Sequence, residues 1–333
     1  MKLKLGILGA GHLGKIHINC ALTSDKWEVA GFYDPSDKNA QSAIDKYGVK
    51  RYATPEALFL DCDVVDIVTP TVTHYSMAVK ALKQGKHLFI EKPVTYTVAQ
   101  GRKLLKLVEA TGLKVQVGHV ERFNPAFQAL HGMALKPMFI EGHRLAAFQP
   151  RGTDVSVVLD LMIHDLDLIL HLVKSPVKKV SAGGVAVLSQ TPDIANARIE
   201  FENGCVANLT ASRISMKQMR KMRLFQQDTY ISLDFLEKQA QMIRLFATDA
   251  QHLPPEDQLM EFDTPAGKKW LHLQMPKTLP TNAIQEELDT FAQAITNNTE
   301  PIVTLYDGFE ALRVAHLILN EIERRLRKTG NLA

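Results

Sequence analysis

The stretch VVLDLMIHDLDLILHLV, residues 157–173, is apolar almost all round, yet it carries Asp160, His164, Asp165, Asp167 and His171. At about 100° per residue, Asp160, His164, Asp167 and His171 fall within about 60° of one another on one helix face. So apolar a helix is buried, and an unpaired carboxylate in an apolar interior is costly. The stripe therefore needs internal partners or a polar cavity. A histidine, with an ordinary pKa of about 6.5, suits removal of a proton from an alcohol. Asp160, one turn earlier, could orient the ring and stabilise the imidazolium. Satisfied ion pairs and caps are the alternative. Aspartate and histidine also bind metals, but no further His or Cys cluster completes a ligand set, so no metal is expected.

A second candidate lies in HLFIEKPVT, residues 87–95, where Leu88-Phe89-Ile90 reads as a short buried strand and Lys92 follows its end. Lys92 is either a solvated strand end or a charge aimed at a reacting oxygen, where it would stabilise developing alkoxide. A lysine desolvated beside another cation can itself titrate near neutrality, so whether Lys92 or His164 takes the proton stays open.

The elements that must position these groups follow from the pattern. Apolar runs at 3–8, 27–33, 64–68, 88–90 and 114–117 alternate with helical spacings at 13–22, 37–46, 74–83 and 98–109. Such alternation predicts βαβ units, a doubly wound parallel sheet with helices on both faces. VVDIVT and LFI are apolar nearly throughout, as strands buried on both faces should be. The first turn, GAGHLG at residues 9–14, follows a strand and opens a helix, and Asp34 ends the second strand about 20 residues on. That context is the dinucleotide fingerprint of a Rossmann fold. Gly9 permits the turn, Gly11 admits the pyrophosphate, and Gly14 lets helix and strand pack, with His12 and Leu13 at the helix N-terminus. Asp34 would bind both ribose hydroxyls and repel a 2′-phosphate, so NAD is expected over NADP; Lys38 argues mildly the other way. Ligands of open parallel sheets bind beyond the strands' carboxyl ends. There lie Thr69 and Pro70 with His74 behind them, then Glu91 and Lys92, and then Gly118 and His119.

From residue 138 the pattern changes to long alternating strands separated by turns such as ENGC. That predicts an open, mostly antiparallel sheet in a second, α+β domain. The expected organisation is α/β, with a dinucleotide-binding domain over residues 1–125 and a substrate and oligomerisation domain over 126–333. Two closing helices, near 282–296 and 306–326, could pack back on the first domain.

Composition excludes other classes. A net charge of +3 is too mild to argue for nucleic acid. Cys20, Cys62 and Cys205 are scattered without a CxxC, which fits a reducing compartment. No apolar run approaches the roughly 18 residues of a membrane span. The N-terminus reaches its glycine turn too soon for a signal peptide, and the expected location is cytoplasmic.

Taken together, GAGHLG, TPTVTH, EKP and DLMIHDLD resemble, in order and spacing, the Gfo/Idh/MocA oxidoreductases across essentially the whole chain. That resemblance implies a Rossmann domain joined to an open-faced sheet, with Lys92 and the Asp160, His164, Asp167 helix as the catalytic signature. It also implies a homo-oligomer, a dimer or tetramer, formed through the open sheet face. Thr71 stands where many members have asparagine. GHVERFNPAF (118–127) and PRGTDVSVVLDLMIHDLD (150–167) further resemble the subgroup that oxidises UDP-N-acetylglucosamine at C3 of the sugar. On that resemblance Glu121, Arg122, Asn124, Arg151 and Asp154 join Asp160 and His164 as substrate-binding positions. Arg122, Arg144, Arg151 and Arg213 form the pool of diphosphate partners. A cyclitol, free-sugar or bilin reductase of the same fold, or a non-catalytic NAD-binding regulator, is the alternative.

Overall fold

The structure is a computed structural model that describes residues 2–148, 155–247, 250, 253–255, 258–265 and 267–328. The chain forms two compact units, one of residues 1–123 and 282–313, the other of residues 124–281 and 314–333.

The first unit is built from β1 (Leu3–Leu8), α1 (His12–Thr23), β2 (Trp27–Tyr33), α2 (Asp37–Tyr47), α3 (Pro55–Leu60), β3 (Val64–Ile67), α4 (Thr71–Lys83), β4 (His87–Glu91), α5 (Val98–Thr111) and β5 (Val115–Gly118). The strands are short; β3 and β5 are buried along their whole length and β1 and β4 over most of theirs, whereas β2 is half-buried at its middle. They form one parallel sheet in the order β2-β1-β3-β4-β5. A single parallel bridge from Phe32 to Arg51 extends it beyond β2. This is a one-residue remnant of the third strand of a doubly wound sheet. The order reverses between β1 and β3, and the crevice beyond their carboxyl ends is the general ligand site of such sheets.

Local chemistry sets the helix ends. The Ser36 side chain caps α2, which stops at Gly48 in the left-handed region at φ +66°. Thr97 and Gln100 close a reciprocal capping box on α5, satisfying two otherwise orphan N–H donors. The short α3, absent from the periodicity reading, begins with Thr54 as its cap and Pro55 in its first turn, a start signal that a six-residue helix leaves without a visible period.

The second unit contains α6 (Pro125–Gln128), β6 (Phe139–Leu145), a π-helical turn over Val158–Met162, α7 (Ile163–Val173) and eight more strands. These are β7 (Val177–Val185), β8 (Ile194–Phe201), β9 (Val206–Ser212), β10 (Met219–Gln226), β11 (Thr229–Asp234), β12 (Gln239–Ala247), β13 (Leu259–Thr264) and β14 (Gly267–Gln274). The nine strands order as β13-β14-β12-β11-β10-β6-β9-β8-β7. Only β6 and β9 run parallel; the other pairs are antiparallel. Alternate residues of β8 and β9 are buried, as one covered face requires. Both edges carry charge. At β7, Lys178 and Lys179 are exposed beside a bulge; at β13, Glu261 and Asp263 are exposed.

Two last helices follow, α8 (Ala283–Thr296), capped by Asn282, and α9 (Leu305–Lys328). In the first unit Phe291 of α8 lies 6.2 Å from Phe89 of β4, ring centre to ring centre. In the second, Leu166 and Ile169 of α7 and Val314, Ile318 and Ile322 of α9 pack with Ile140, Leu209 and Met222 of the sheet.

One continuous α-helix was expected over 157–173. Instead the first turn is π, wider than an α turn, and it rotates Asp160 off the position that uninterrupted α geometry gives. Such turns recur at functional sites. The α7 segment is held by a two-pronged ion pair: Arg144 Nε and Nη2 on β6 donate to Asp165 Oδ2 and Oδ1 at 3.0 and 2.8 Å, with both side chains buried. Removing one partner of such a pair leaves a buried uncompensated charge. Arg144→Met should therefore lower the unfolding free energy by about 3 kcal/mol or more. Denaturant titration checks this; a loss below about 1 kcal/mol, the range of exposed pairs, would contradict it.

Candidate active site

The glycine turn is dictated by close backbone approach. Gly9 sits at φ +101°, and a Cβ there would lie 2.5 Å from the Val68 carbonyl oxygen. A Cβ on Gly14 would lie 2.1 Å from the Gly9 carbonyl oxygen. Around Gly11, by contrast, nothing stands within 4 Å of the Cβ position. Gly11 is also the N-cap of α1 and supplies no side-chain cap to the helix. Open space over uncapped first-turn N–H groups suits an anionic group. His12 is exposed there, Leu13 is half-buried, and Gly14 is buried.

Asp34 directly follows β2 and is held by backbone N–H groups around it. Its Oδ2 accepts from Ala10 N at 2.7 Å and its Oδ1 from Ser36 N at 2.8 Å. Arg51 donates to the Asp34 carbonyl at 3.0 Å and pairs with Asp37 at 2.8 Å. A carboxylate fixed beside the uncapped helix start fits the ribose end of a dinucleotide, with the pyrophosphate over Gly11.

The loops after β3 and β4 are tied together by His74. Its Nδ1 is 2.9 Å from the Pro93 carbonyl oxygen and its Nε2 is 2.8 Å from that of Thr69. The ring is buried, and burial pushes its pKa down against the two carbonyls. The neutral ring carries one N–H, so His74 donates to one of these carbonyls and rests against the other, between the segments after β3 and β4. Thr73 Oγ1 adds a 2.7 Å bond to Thr69 Oγ1.

Beneath this edge lies a constellation that was not expected. His17 of α1 and Asp66 of β3 are wholly buried, with His17 Nδ1 2.9 Å from Asp66 Oδ2. His17 Nε2 is 3.3 Å from Glu91 Oε1. Glu91 Oε2 accepts the Lys92 N–H at 3.1 Å. Burial opposes a charged ring, yet the two carboxylates outweigh it and hold the His17 pKa well above its ordinary value. Burial raises the Asp66 pKa despite His17. Glu91 is lowered, because His17 and Lys92 together overcome its burial. The sequence held a signal for this: an aspartate in VVDI, a strand with no solvent face, needs a partner.

Glu121 and Arg122 follow β5 in a short 3₁₀ turn, both buried, with Arg122 Nη2 3.9 Å from Asp307 Oδ1. The first unit thus gathers its expected cofactor positions, with Glu121 and Arg122, along the carboxyl edge of one sheet.

In the second unit, Asp160 lies in the π turn and His164 in the first turn of α7, both half-buried. Asp167, expected on the same face, is buried, and His171 is half-buried. Asn124 caps α6 through Oδ1, 3.0 Å from Ala126 N, and donates to the Phe235 carbonyl at 3.1 Å. Arg151 and Asp154 lie outside the described residues. The diphosphate pool shrinks. Arg144 is engaged with Asp165. Arg213 is buried against Asp193 at 3.3 Å and donates to the Val155 carbonyl at 2.5 Å.

The N-terminal residues 3–119 match the model of an oxidoreductase family with an NAD-binding Rossmann fold, GFO/IDH/MocA. Residues 137–230 match a C-terminal domain of the same family. UDP-N-acetylglucosamine 3-dehydrogenase of Acidithiobacillus ferrooxidans is 38% identical over 235 residues, 70% of this chain and 74% of that one. Its solved structure superposes with a TM-score of 0.86 at 30% identity, covering 97% and 99% of the two chains. scyllo-Inositol 2-dehydrogenase (NAD(+)) of Bacillus subtilis is 29% identical over 235 residues, 64% of this chain and 68% of that one. The chain belongs to the Gfo/Idh/MocA family of NAD-binding oxidoreductases. Those relatives are named as dehydrogenases of alcohol groups.

The sign of the His17 shift sets a pH dependence. A folded pKa above the unfolded value of about 6.5 gives stability that is fully present below that pH and lost as pH climbs through the folded value. The unfolding free-energy gap between wild type and His17→Gln should therefore narrow as pH rises above the unfolded value of about 6.5. Urea titrations of both proteins across that range measure it; a gap that stays constant or widens would contradict the charged ring.

Proposed function

We propose that the protein oxidises a UDP-N-acetylhexosamine at C3 of the sugar with NAD⁺. One observation carries this reading: the likeness to UDP-N-acetylglucosamine 3-dehydrogenase over nearly the whole of both chains. The dinucleotide is held by Gly9, Gly11, His12, Leu13, Gly14 and Asp34, with Thr69, Pro70, Glu91 and Lys92 toward its nicotinamide end and His74 behind them. When bound, the nicotinamide supplies the acceptor for the hydride leaving the sugar carbon.

The chain's own residues handle the proton and the charge. His164, kept in orientation by Asp160, accepts the hydroxyl proton. Lys92 donates a hydrogen bond to the reacting oxygen and stabilises the negative charge that develops on it. On the substrate, Arg122 and Arg151 are the remaining candidates for the diphosphate, since a guanidinium fork meets phosphate oxygens two at a time. Glu121, Asn124 and Asp154 complete the expected contacts. Anchoring the UDP group fixes the sugar relative to these residues and turns an encounter into a positioned reaction.

A cyclitol substrate is the second reading, favoured by the 29% identity with scyllo-inositol 2-dehydrogenase. A purely regulatory NAD-binding role has less support, because Lys92, Asp160 and His164 are all present.

Cofactor choice follows from Asp34, whose fixed carboxylate would repel a 2′-phosphate. NAD(H) should bind at least about tenfold more tightly than NADP(H), roughly 1.4 kcal/mol. Calorimetric titration with each cofactor measures this, and equal affinities would reject it. For the substrate, the protein is incubated with NAD⁺, UDP-N-acetylglucosamine and a trap for the keto sugar while NADH absorbance is followed. NADH should form with the nucleotide sugar and far more slowly with free N-acetylglucosamine. Turnover of scyllo-inositol with none of the nucleotide sugar would select the cyclitol reading and leave the family assignment in place.

A further inference from the structure

His17 and Asp66 lie outside the set of residues that touch cofactor or substrate in the reading above, yet through Glu91 their constellation ends on Lys92. A neutral imidazole carries one N–H, whereas an ionised carboxylate only accepts. His17 Nδ1 is hydrogen-bonded to Asp66 at 2.9 Å, and Nε2 faces Glu91 at 3.3 Å as an ion-pair contact, an arrangement of two carboxylates that favours the imidazolium. Asp66 is built into the middle of a buried strand, so it is the fixed end of the line. Glu91 is the end that has somewhere else to go, since it closes β4 at the edge of the sheet.

Both Glu91 oxygens are engaged, Oε1 toward His17 and Oε2 with the Lys92 N–H. A floor completes the seat. Glu91 stands in register with Gly118 of β5, and a Cβ on Gly118 would lie 2.7 Å from Glu91 Oε1. The carboxylate fits only because that residue has no side chain. The Phe89 ring stands edge-on to the His17 ring at 5.7 Å, which fills the remaining side.

We propose that His17, anchored by Asp66, is a positioning residue for Lys92: it sets the Glu91 carboxylate, and Glu91 holds the backbone from which the Lys92 side chain projects. The charge state required of His17 agrees with its raised pKa. Were the ring lost, Glu91 would be free to turn, and the Lys92 backbone would lose its acceptor. The catalytic consequence rests on the reading of Lys92 as the group that stabilises the reacting oxygen; the positional consequence does not.

The two consequences are tested separately. Lysines of the full-length protein are ¹³C-methylated, and the Lys92 resonance is assigned by its absence in Lys92→Ala. His17→Gln removes the imidazolium. Gly118→Ala displaces Glu91 without changing any charge, so it stands in should the first variant fold poorly. In unmodified protein, kcat and KM are measured with UDP-N-acetylglucosamine and with scyllo-inositol.

Each variant should move the Lys92 resonance and lower kcat about tenfold or more, the scale of a small misplacement, with KM and the NADH dissociation constant within about threefold. In the Lys92→Ala background, His17→Gln should lower kcat little further, because residues acting through one another are not additive. An unmoved Lys92 resonance in both variants overturns the proposal, as does a full additive loss in the double variant. A moved resonance with Lys92→Ala as active as wild type upholds the positioning and rejects the catalytic reading of Lys92 instead.

Discussion

Two carboxylates on the α1 face of the parallel sheet need a cation between them, and the carboxyl edge of that sheet is arranged around this need. Asp66 has no solvent to ionise into and Glu91 has little. His17 supplies the charge from one helix turn past the glycine loop. The same short helix therefore presents uncapped N–H groups at its start and an imidazolium at its base. The first makes room for an anion above the sheet, and the second neutralises anions within it. Packing the helix close enough for both depends on Gly14, where any side chain would strike the Gly9 carbonyl.

That closeness couples elements far apart in sequence. The tight passage of Gly9 over Val68 joins the ends of β1 and β3, and the His74 ring lies between a backbone carbonyl after β3 and one after β4, donating to one of them. The strand ends that frame the proposed nicotinamide region are thus held by buried polar contacts that a hydrophobic core alone would not specify. In the second unit the same principle acts through arginine. Arg144 grips the helix bearing His164, and Arg213 holds the Val155 carbonyl just before the π turn that bears Asp160.

Much of this was legible in the sequence, and the boundary of legibility has physical causes. The glycine turn and the Asp34 position showed because backbone crowding and phosphate charge demand particular residue types at fixed spacing. The inner parallel strands showed because burial on both faces makes them apolar runs. The open sheet showed through its alternation, but its order did not, since the parallel β6–β9 pairing leaves no mark in either strand. The π turn was invisible because helical periodicity assumes one pitch. The fates of Arg144 and Arg213 were hidden for a different reason: an arginine that binds a phosphate and one that binds a buried aspartate read alike until the aspartate is located. His17 and Asp66 could have been paired on the single clue of a charge inside VVDI, but their partnership spans 49 residues, and no local pattern encodes it.

The nine-stranded sheet has a bearing on solubility. An open sheet ends in two rows of unpaired amides, each a template on which another chain could add a strand. At β7 the exposed Lys178 and Lys179 and the adjoining bulge spoil that template with like charge and irregular spacing. At the other end Glu261 and Asp263 line β13 with the opposite sign, Glu261 partly answered by Lys268 on its neighbour. A β7 edge meeting a β7 edge is met by repulsion, and so is β13 meeting β13. Only a head-to-tail encounter is favoured by charge, and there the bulge denies a regular ladder. Charge of one sign at each edge thus works against like-with-like strand addition, though Met260 and Phe262 are also exposed on β13.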